Sequence, residues 1–432
     1  MSDILDTRNL SFVGDFNTQM KEILQYIILP AENPMLQTVY KDLETFFQGI
    51  WRGIQFINLG EKYCKRGPEQ KLSDPLLVPT VAVECGMRVA KSKERMADRG
   101  NLNGRGGGTV NILGCQIEVF GSIMIGLAMK NSDIDCLVNL PPNLRREPII
   151  LLRETEKALS QNTKFQIVNI NTKSKKPLIV VLHKHTQISC DITFSDRNCI
   201  KICDLMIYLI SRDDRIRPLM LTIKYWSKIY DLTGNKKMKN FCLQLLIVFY
   251  LQQKEILPSI KSLQQNIEEE ITGLWNTAFA RPISYSNDDT ETVYTLLGGF
   301  FQYYSNFDFK NNIISLYLGH LIHRTDFEKR HYNEYNLYYN NIRQHLCKPL
   351  CTNSFVCVQD PFNHDRNSAI TILPHVAMEI VNTFNVAASI YKNENEQDFL
   401  KKLLNGPDLN IARSMQTFTM EKMCKYSSSS VK

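Results

Sequence analysis

Apolar and polar residues alternate with two different periods along this chain of 432 residues. Up to about residue 63, apolar residues recur every three or four positions, as at Met20, Ile23 and Ile27, which predicts amphipathic helices. Short apolar runs bounded by polar turns then predict β-strands. From residue 200 to about 404 the helical period returns. The pattern therefore predicts an α+β protein in which a β-rich block is flanked in sequence by helices.

The strand-like runs are short, and polar turns separate them. They lie at 117–120, 134–138, 165–170, 178–182 and 188–194. Before them, residues 91–110 read KSKERMADRGNLNGRGGGTV, with several basic residues and a run of glycines. Such a segment has too few apolar side chains to fill a core, so it predicts an exposed, flexible loop.

Composition narrows the class of protein. Hydrophobic residues make up 44% and charged residues 22%, which is typical of globular proteins and excludes a mainly disordered chain. None of the 12 cysteines forms a CxxC pair, so we expect reduced thiols in an intracellular protein. The N-terminus lacks the pattern of a secretory signal, and no apolar stretch reaches the ~20 residues of a spanning helix. We expect a soluble monomer without a membrane partner, located in the cytoplasm, with the nucleus as the alternative.

The strongest chemical signal is the segment EVFGSIMIGLAMKNSDIDCLVN at 118–139. Asp133 and Asp135 are separated by one residue, and side chains on a strand alternate, so both carboxylates project from one face. Two adjacent carboxylates repel each other, and a divalent cation such as Mg²⁺ relieves that repulsion. Upstream, Gly121 and Ser122 end one strand and begin a short helix, where the backbone can approach a phosphate. A surface strand with two solvated acids is the alternative.

A third acid strengthens the metal interpretation. Asp191 lies in SCDITF, in a run that can lie beside the strand of Asp135. Three acids on neighbouring strands can hold two cations ~3.5–4 Å apart, the arrangement that stabilises the attacking and leaving oxygens in phosphoryl transfer.

With these residues, the chain resembles the polymerase-β-like nucleotidyltransferases, and within them the noncanonical poly(A) polymerases and terminal uridylyltransferases. Three further segments carry the narrower resemblance. They are RIRPLMLTIKYWSKIYDLTG at 215–234, KNFCLQLLIVFYLQ at 239–252 and VCVQDPFNHDRN at 356–367. The match runs from about residue 110 to 370 and keeps the order of the motifs.

The resemblance implies a fold and a division of the chain. A nucleotidyltransferase domain with a small mixed sheet would span 64–199, including the flexible loop at 91–110. A helical poly(A)-polymerase-associated domain that recognises the nucleotide would span 200–404, with a cleft between the two lobes. Helices at 1–63 would pack with the helical domain, and 405–432 would form a disordered tail.

The resemblance also implies roles for individual residues. Asp133, Asp135 and Asp191 would bind two Mg²⁺ (or Mn²⁺) ions and act in catalysis, while Gly121 and Ser122 would contact the triphosphate. Lys224 and Lys228 share one helix face and would hold phosphate oxygens; a solvated stripe is the alternative. Phe241, preceded by Asn240, would stack on the base or pack in the core. Asp360 would read the base edge or cap a turn, and Arg366 lies six residues beyond it.

Departures from the family pattern bear on nucleotide choice. Ile202 replaces an Asn that contacts the ribose, and Asn240 replaces a Ser. Arg366 occupies the position of a His in the uridylyltransferase branch. Because Arg only donates hydrogen bonds, it suits the carbonyl oxygens of uracil better than the amino group of adenine. This favours UTP over ATP, with RNA 3′ ends as the acceptor.

Two alternatives remain beside an RNA uridylyltransferase. The first is the same chemistry with ATP, and the second is a pseudo-enzyme that binds RNA or a protein partner. RNA would follow basic residues, because the net charge is +7 and five lysines without an acid lie between 164 and 185. Further basic residues are Arg212, Arg215, Arg217, Lys236, Lys237 and Lys239.

Overall fold

The computed structural model describes residues 6–30, 33–50, 55–56, 116–141, 144–172, 177–194, 197–234, 236–282 and 291–405. The loop predicted at 91–110 lies outside these ranges, as does the tail predicted at 405–432 apart from Asn405. In the part of the chain that is described, no helix has the length and apolar character needed to cross a membrane.

Helices and strands alternate along the described ranges much as the period of the sequence predicts. The helices are α1 Phe16–Ile27, α2 Pro34–Ile50, α3 Gly121–Met124, α4 Pro148–Leu159, α5 Asn198–Ile210, α6 Ile216–Ile229, α7 Asn240–Gln253, α8 Ile260–Leu263, α9 Val293–Ser305, α10 Arg324–Glu328, α11 Asn336–Arg343, α12 Pro374–Asn393 and α13 Glu396–Leu404. The strands are β1 Gln55–Phe56, β2 Gln116–Phe120, β3 Ile134–Asn139, β4 Phe165–Asn171, β5 Leu178–His183, β6 Ile188–Thr193, β7 Ile271–Thr272, β8 Trp275–Asn276, β9 Asn312–Ser315, β10 His320–His323 and β11 Val358–Gln359.

The chain folds into two compact units. The sheet unit comprises residues 29–126 and 132–195, and the helical unit comprises residues 1–28, 127–131 and 196–432. The sheet unit contains a six-stranded mixed sheet in the order β1-β2-β3-β6-β5-β4. The central pair β3 and β6 is parallel, while β2 and β5 run antiparallel to them. This confirms the predicted small mixed sheet with helices.

One face of the sheet is packed by helices. Leu43 of α2 and Leu152 of α4 belong to the same buried cluster as Ile134, Cys136 and Val138 of β3. These three residues of β3 alternate along the strand, so the odd-numbered side chains point to the opposite face. The burial of the even positions thereby directs Asp133 and Asp135 away from the core.

Helix α2 corrects one expectation. We expected the helices before residue 63 to pack with the helical domain, and α1 does contact α6 and α13. In contrast, α2 packs against the sheet, because its apolar stripe is part of the core of the sheet unit. A polar contact fixes it there: the buried His183 Nε2 donates to Asp42 Oδ2 at 3.0 Å, and Lys164 Nζ donates to Asp42 Oδ1 at 2.6 Å. Residues 57–63 lie outside the described ranges.

The helical unit is built around aromatic residues. Trp226 of α6 packs against Phe301 of α9 and Phe384 of α12, with ring centroids 4.7 Å and 5.7 Å apart. Helices α9 and α12 cross closely at Gly298, where a Cβ atom would lie only 2.1 Å from the ring of Tyr391. The core of this unit thus depends on ring packing between helices that are distant in sequence.

The helical unit also contains strands that the sequence did not predict. Strands β7 and β8 form a hairpin, and β9 lies between β10 and β11 in a three-stranded sheet. Each of these strands has only two to four residues. Such short runs are below the length at which an alternating pattern can be recognised.

Candidate active site

The sheet unit places two of the predicted acids directly opposite each other. In the parallel register of β3 and β6, Asp135 pairs with Asp191, and on its other side Asp135 pairs with Phe120 of β2. Adjacent strands lie about 4.8 Å apart, so both carboxylates leave the sheet side by side. Asp133 precedes β3 by one residue, is exposed, and has the same parity as Asp135. The three acids therefore follow one side of two neighbouring strands.

Gly121 brings the backbone against this carboxylate pair. Its φ is +72°, in the left-handed region that favours glycine, and it begins the single turn of α3. A Cβ atom on Gly121 would lie 2.0 Å from Asp135 Oδ2 and 2.9 Å from Cγ. Both the conformation and the missing side chain are thus required. Ser122 follows in the same turn and is half-buried.

The negative charge of the three acids reaches the thiols on the buried side of the sheet. Burial raises the pKa of Cys190, and the charges of Asp191, Asp133 and Asp135 raise that pKa further. Burial likewise raises the pKa of Cys136 well above its usual range, with Cys190, Asp135 and Asp191 adding to the effect. Both thiols stay protonated. All three carboxylates raise the pKa of the same thiol, Cys190, so their negative charges lie in one region.

This arrangement fits a hard divalent cation. Carboxylate oxygens are the ligands of Mg²⁺, which usually takes one or two of them and completes its shell with water and substrate phosphates. Because Gly121 has no side chain, Asp135 Oδ2 can lie directly against its backbone, where a Cβ atom would otherwise be. Among the described residues, no group of three or more histidine, cysteine or acidic side chains, the three acids included, is arranged so that it could hold a metal ion by itself. The strands thus supply oxygen donors to which a phosphate would add.

In the helical unit, Lys224 and Lys228 share one face of α6, as their spacing predicts. The side chain of Lys224 is buried, and its Nζ donates to the carbonyl oxygen of Leu127 at 2.7 Å. Lys228 is half-buried, and its Nζ donates to Asn131 Oδ1 at 3.2 Å. The alternative of a solvated stripe is wrong for Lys224, which is buried, whereas Lys228 remains partly exposed.

Asn240 and Phe241 lie in the first turn of α7. Asn240 is exposed and Phe241 is half-buried, whereas every residue from Cys242 to Gln252 is buried. The ring of Phe241 makes no ring contact with the aromatic residues in the described part of the chain. Phe241 is therefore partly exposed at the start of a buried helix, and both base stacking and packing against aliphatic side chains are compatible with this position.

Asp360 lies in a tight, buried turn. It is fully buried, and its Oδ1 accepts hydrogen bonds from the backbone N–H groups of Phe362 and Asn363 at 3.1 Å and 3.0 Å. The turn-capping alternative is thus confirmed for this oxygen. The other oxygen, Oδ2, lies 3.6 Å from Nη1 of Arg366, whose side chain is 46% exposed. Arg366 is consequently tethered at one end of its guanidinium group and reaches solvent at the other.

Two polar side chains that sequence reasoning did not identify hold the backbone before and after this turn: Asn367 is buried and Arg324 is half-buried. Asn367 Oδ1 accepts from the N–H groups of Val358 and Ala369, and its Nδ2 donates to the carbonyl oxygen of Cys351 at 3.1 Å. Arg324 donates to the carbonyl oxygens of five residues. These residues are Phe309, Asn312, Thr352, Ser354 and Phe355. The one signal in the sequence for Asn367 is an amide side chain close to the Asp-Pro-Phe motif. No local sequence pattern identifies Arg324.

Ile202, at the position where the family has an Asn that contacts the ribose, lies in the core of the helical unit. Ile202 is buried in α5, and one turn earlier Asn198 donates through Nδ2 to Asn363 Oδ1 at 3.2 Å.

Several basic side chains that we expected to face RNA make intramolecular contacts. Arg215 pairs with Asp213, Lys237 pairs with Asp231, and Arg212 donates to the carbonyl oxygen of Pro282. The basic surface near α6 is thus partly neutralised within the unit.

Comparison with known proteins identifies two regions of the chain. Residues 87–211 match a family model described as the central palm domain of mitochondrial-like poly(A) RNA polymerase, and residues 293–366 match the Cid1 family poly A polymerase model. A speckle targeted PIP5K1A-regulated poly(A) polymerase of Danio rerio is 31% identical over 210 residues, covering 46% of this chain and 26% of that protein. Poly(A) RNA polymerase cid13 of Schizosaccharomyces pombe is 27% identical over 267 residues, covering 59% and 42%. The alignments thus span less than half of these relatives.

Solved structures show the same fold. The crystal structure of mtPAP in complex with ATPgammaS has a TM-score of 0.66 at 18% identity and covers 93% of this chain and 74% of that chain. The structure of Cid1 in complex with its short product ApU has a TM-score of 0.62 at 15% identity and covers 91% and 98%. Both comparisons confirm the predicted α+β architecture.

Proposed function

We propose that this chain, which belongs to the family of noncanonical poly(A) polymerases and terminal uridylyltransferases, adds nucleotides to RNA 3′ ends without a template and prefers UTP. The observation that carries the proposal is the register of β3 and β6, which sets Asp135 opposite Asp191, with the backbone of Gly121 against Asp135. Relatives named poly(A) RNA polymerases support an RNA nucleotidyltransferase.

The proposed reaction is an in-line displacement. The 3′-oxygen of the RNA forms a bond to the α-phosphorus of the nucleotide while the bond from that phosphorus to the bridging oxygen breaks. Pyrophosphate leaves, and the proton of the hydroxyl group passes to solvent. Two divalent cations, when bound, would activate the attacking oxygen and neutralise the leaving group.

In this reaction, the acids of the chain would hold the cations, and other side chains would bind and orient the nucleotide. Asp133, Asp135 and Asp191 would hold the two cations, and Gly121, which has no side chain, lets the carboxylate of Asp135 lie against the backbone of the turn that would carry the triphosphate. Ser122, in the same turn, would bind the triphosphate. Lys228, which is half-buried, would bind a phosphate oxygen. Phe241 would stack on the base with the π-face that no described ring covers.

Preference for UTP would come from Arg366. Its guanidinium group carries only donors, and Asp360 Oδ2 lies 3.6 Å from one of them. The donors on the exposed side of the group match the carbonyl oxygens of uracil and oppose the amino group of adenine. Names of relatives favour the second candidate, the same chemistry with ATP, because most are called poly(A) polymerases.

A primer-extension assay tests both the addition of nucleotides to RNA and the preference for UTP. The full chain is incubated with a short labelled RNA, Mg²⁺ and one nucleotide at a time. We expect tails with UTP, weaker extension with ATP, and no extension by Asp133→Ala, which would still bind RNA. Tails with ATP alone would overturn the UTP preference but keep the reaction. No extension with any nucleotide or with Mn²⁺ would leave an RNA-binding or protein-binding scaffold instead.

The role of Arg366 has its own test. Arg366→His should change the ratio of UTP to ATP incorporation, since imidazole can both donate and accept hydrogen bonds. The matched control is Arg343→His, an exposed arginine at the end of α11 that should leave the ratio unchanged. An unchanged ratio in Arg366→His would remove this residue from base selection.

A further inference from the structure

The side of the six-stranded sheet that carries the acids continues beyond β6 onto β5 and β4. The register pairs Asp191 with Val180 of β5, and it pairs Val180 with Asn169 of β4. Together with Asp135, these three residues form one row across four strands of the sheet unit. Paired residues point to the same side of a sheet and adjacent strands lie about 4.8 Å apart, so Asn169 lies about 10 Å from Asp191 along this row.

A β-bulge decides which residues of β4 share the side of the acids. The register shifts between Ile167 and Asn169, so Val168 is the extra residue of the bulge. Before the bulge an even-numbered residue, Gln166, lies on the acid side, and after it odd-numbered residues, Asn169 and Asn171, lie there. All three amide residues are exposed. Without the bulge, Gln166 and Asn169 would lie on opposite sides of the sheet.

Aliphatic side chains lie between the acids and these amides. Leu178, Val180 and Leu182 of β5 are half-buried and alternate with buried residues that pack towards α2 and α4. The surface beside the acids thus combines aliphatic side chains with neutral amides at the edge of the sheet. Single-stranded RNA matches this combination, because amides can donate and accept hydrogen bonds at base edges and 2′-hydroxyl groups.

The distribution of charge favours RNA on the β5–β4 side of the acids. The sequence has five lysines and no acid between residues 164 and 185. Lys164 pairs with Asp42, whereas Lys184 is exposed directly after β5, where its backbone N–H donates to the carbonyl oxygen of Lys164 at 2.9 Å. On the opposite side of the acids, β2 carries Glu118. A polyanion is therefore attracted more strongly towards β5 and β4 than towards β2.

We propose that Gln166 and Asn169 bind the acceptor RNA immediately upstream of its 3′ end. The 3′ end would lie at the acids, and the preceding nucleotides would cross β5 towards the edge of the sheet at β4. This inference rests on the proposed function and deepens it, because it assigns the surface that selects the acceptor. Loss of the two amides should weaken the binding of RNA and leave the binding of the nucleotide unchanged.

The kinetic test uses the double variant Gln166→Ala/Asn169→Ala, with Gln161→Ala as the matched control. Gln161 is an exposed amide that follows α4, the helix packed on the other side of the sheet. We expect the double variant to raise KM for RNA at least ~10-fold with KM for UTP within ~3-fold, because each lost hydrogen bond weakens binding by about 2- to 12-fold. The control should keep both values. An unchanged KM for RNA in the double variant would overturn the assignment.

Photo-crosslinking locates the RNA without turnover. The full chain is irradiated with an RNA that carries 4-thiouridine next to its 3′-terminal nucleotide, and mass spectrometry identifies the crosslinked peptides. We expect crosslinks in β4 or β5, and fewer of them in the double variant. Crosslinks confined to the helical unit, or no bound RNA, would overturn the assignment even if the chain extends RNA. Crosslinks in β4 or β5 by a chain that extends no RNA would support this surface and refute the proposed function.

Discussion

Replacing Gly121 with alanine adds one carbon atom at the closest approach between the backbone and a candidate catalytic acid. The new Cβ would lie 2.0 Å from Asp135 Oδ2, whereas ordinary contacts are 3.4–4 Å. The carboxylate must therefore withdraw by about 1.4 Å, or the turn must move by a similar amount. A displacement of ~1 Å at a reacting centre can cost about 10²-fold in rate, so we expect Gly121→Ala to lose at least about 10²-fold in RNA extension.

Backbone strain has to be separated from this displacement. The φ of +72° at Gly121 costs a residue with a Cβ atom about 1–2 kcal/mol. Gly273 provides the matched control, because its φ is +65° and the atom nearest to an added Cβ is Asn198 Nδ2 at 3.9 Å. Gly273→Ala should thus lose similar stability and keep its activity.

The assay is single-turnover extension of a labelled RNA with UTP and Mg²⁺, with urea unfolding of both variants as the check on stability. Temperature is kept well below the unfolding transition, so that the loss of folded protein does not contribute to the rate. If Gly121→Ala extends RNA within about 3-fold of Gly273→Ala, the close approach to Asp135 has no part in catalysis and the reasoning is refuted.

Three further predictions concern buried or half-buried polar groups. Arg324→Lys should lower the free energy of unfolding by about 1–3 kcal/mol, measured in urea, because one ammonium group cannot reach all five carbonyl oxygens that the half-buried guanidinium group contacts. A change below about 0.5 kcal/mol, roughly that of a surface substitution, would contradict this. Burial lowers the pKa of His364 from 6.5 to about 3, so this side chain is neutral in the folded protein and the unfolded chain binds the extra proton below pH 6.5. As the pH drops from 6.5 towards 3, the free energy of unfolding of the wild type should therefore fall more steeply than that of His364→Phe, by up to about 1.4 kcal/mol per pH unit. Parallel curves of unfolding free energy against pH for the two proteins would show that the ring is not buried as described. Asp42→Ala should lower the free energy of unfolding by about 1–3 kcal/mol, because it leaves the buried His183 Nε2–H without its acceptor. Lys164→Ala removes the exposed partner of the same carboxylate and should lower it by at most about 1 kcal/mol. Equal melting temperatures for the two variants would contradict this difference.

Much of the sheet could be predicted because its signals are local. Apolar alternation placed β2 to β6 within about one residue of their observed ends, and the spacing of Asp133 and Asp135 fixed their common face. The third acid was found because it lies in a strand of the same type. The sequence could not show that Asp191 pairs with Asp135 rather than with a neighbouring residue, because register depends on how β3 and β6 pack against α2 and α4.

The candidate nucleotide residues were found by motif, but their partners were not. Lys224 and Lys228 share a helix face by spacing alone, yet only the fold shows that they bind a segment almost 100 residues earlier in the chain. Asp360 was predicted either to read a base or to cap a turn, and the structure shows one oxygen of the side chain in the cap. Such assignments depend on long-range packing, on which local patterns carry no information.

The sequence by itself determined which residues could carry the chemistry, because alternation, glycine geometry and the types of side chain are local properties. It determined the acids at 133, 135 and 191, the glycine beside them and the two lysines on one face of α6. The tertiary structure decided which of these groups have partners: it placed Gly121 against Asp135, buried Lys224 on a carbonyl oxygen and left Phe241 without a neighbouring ring among the described residues. The physical reason is that burial and hydrogen bonding are set by residues far apart in the chain, and these determine whether a charge or a ring is available to a substrate.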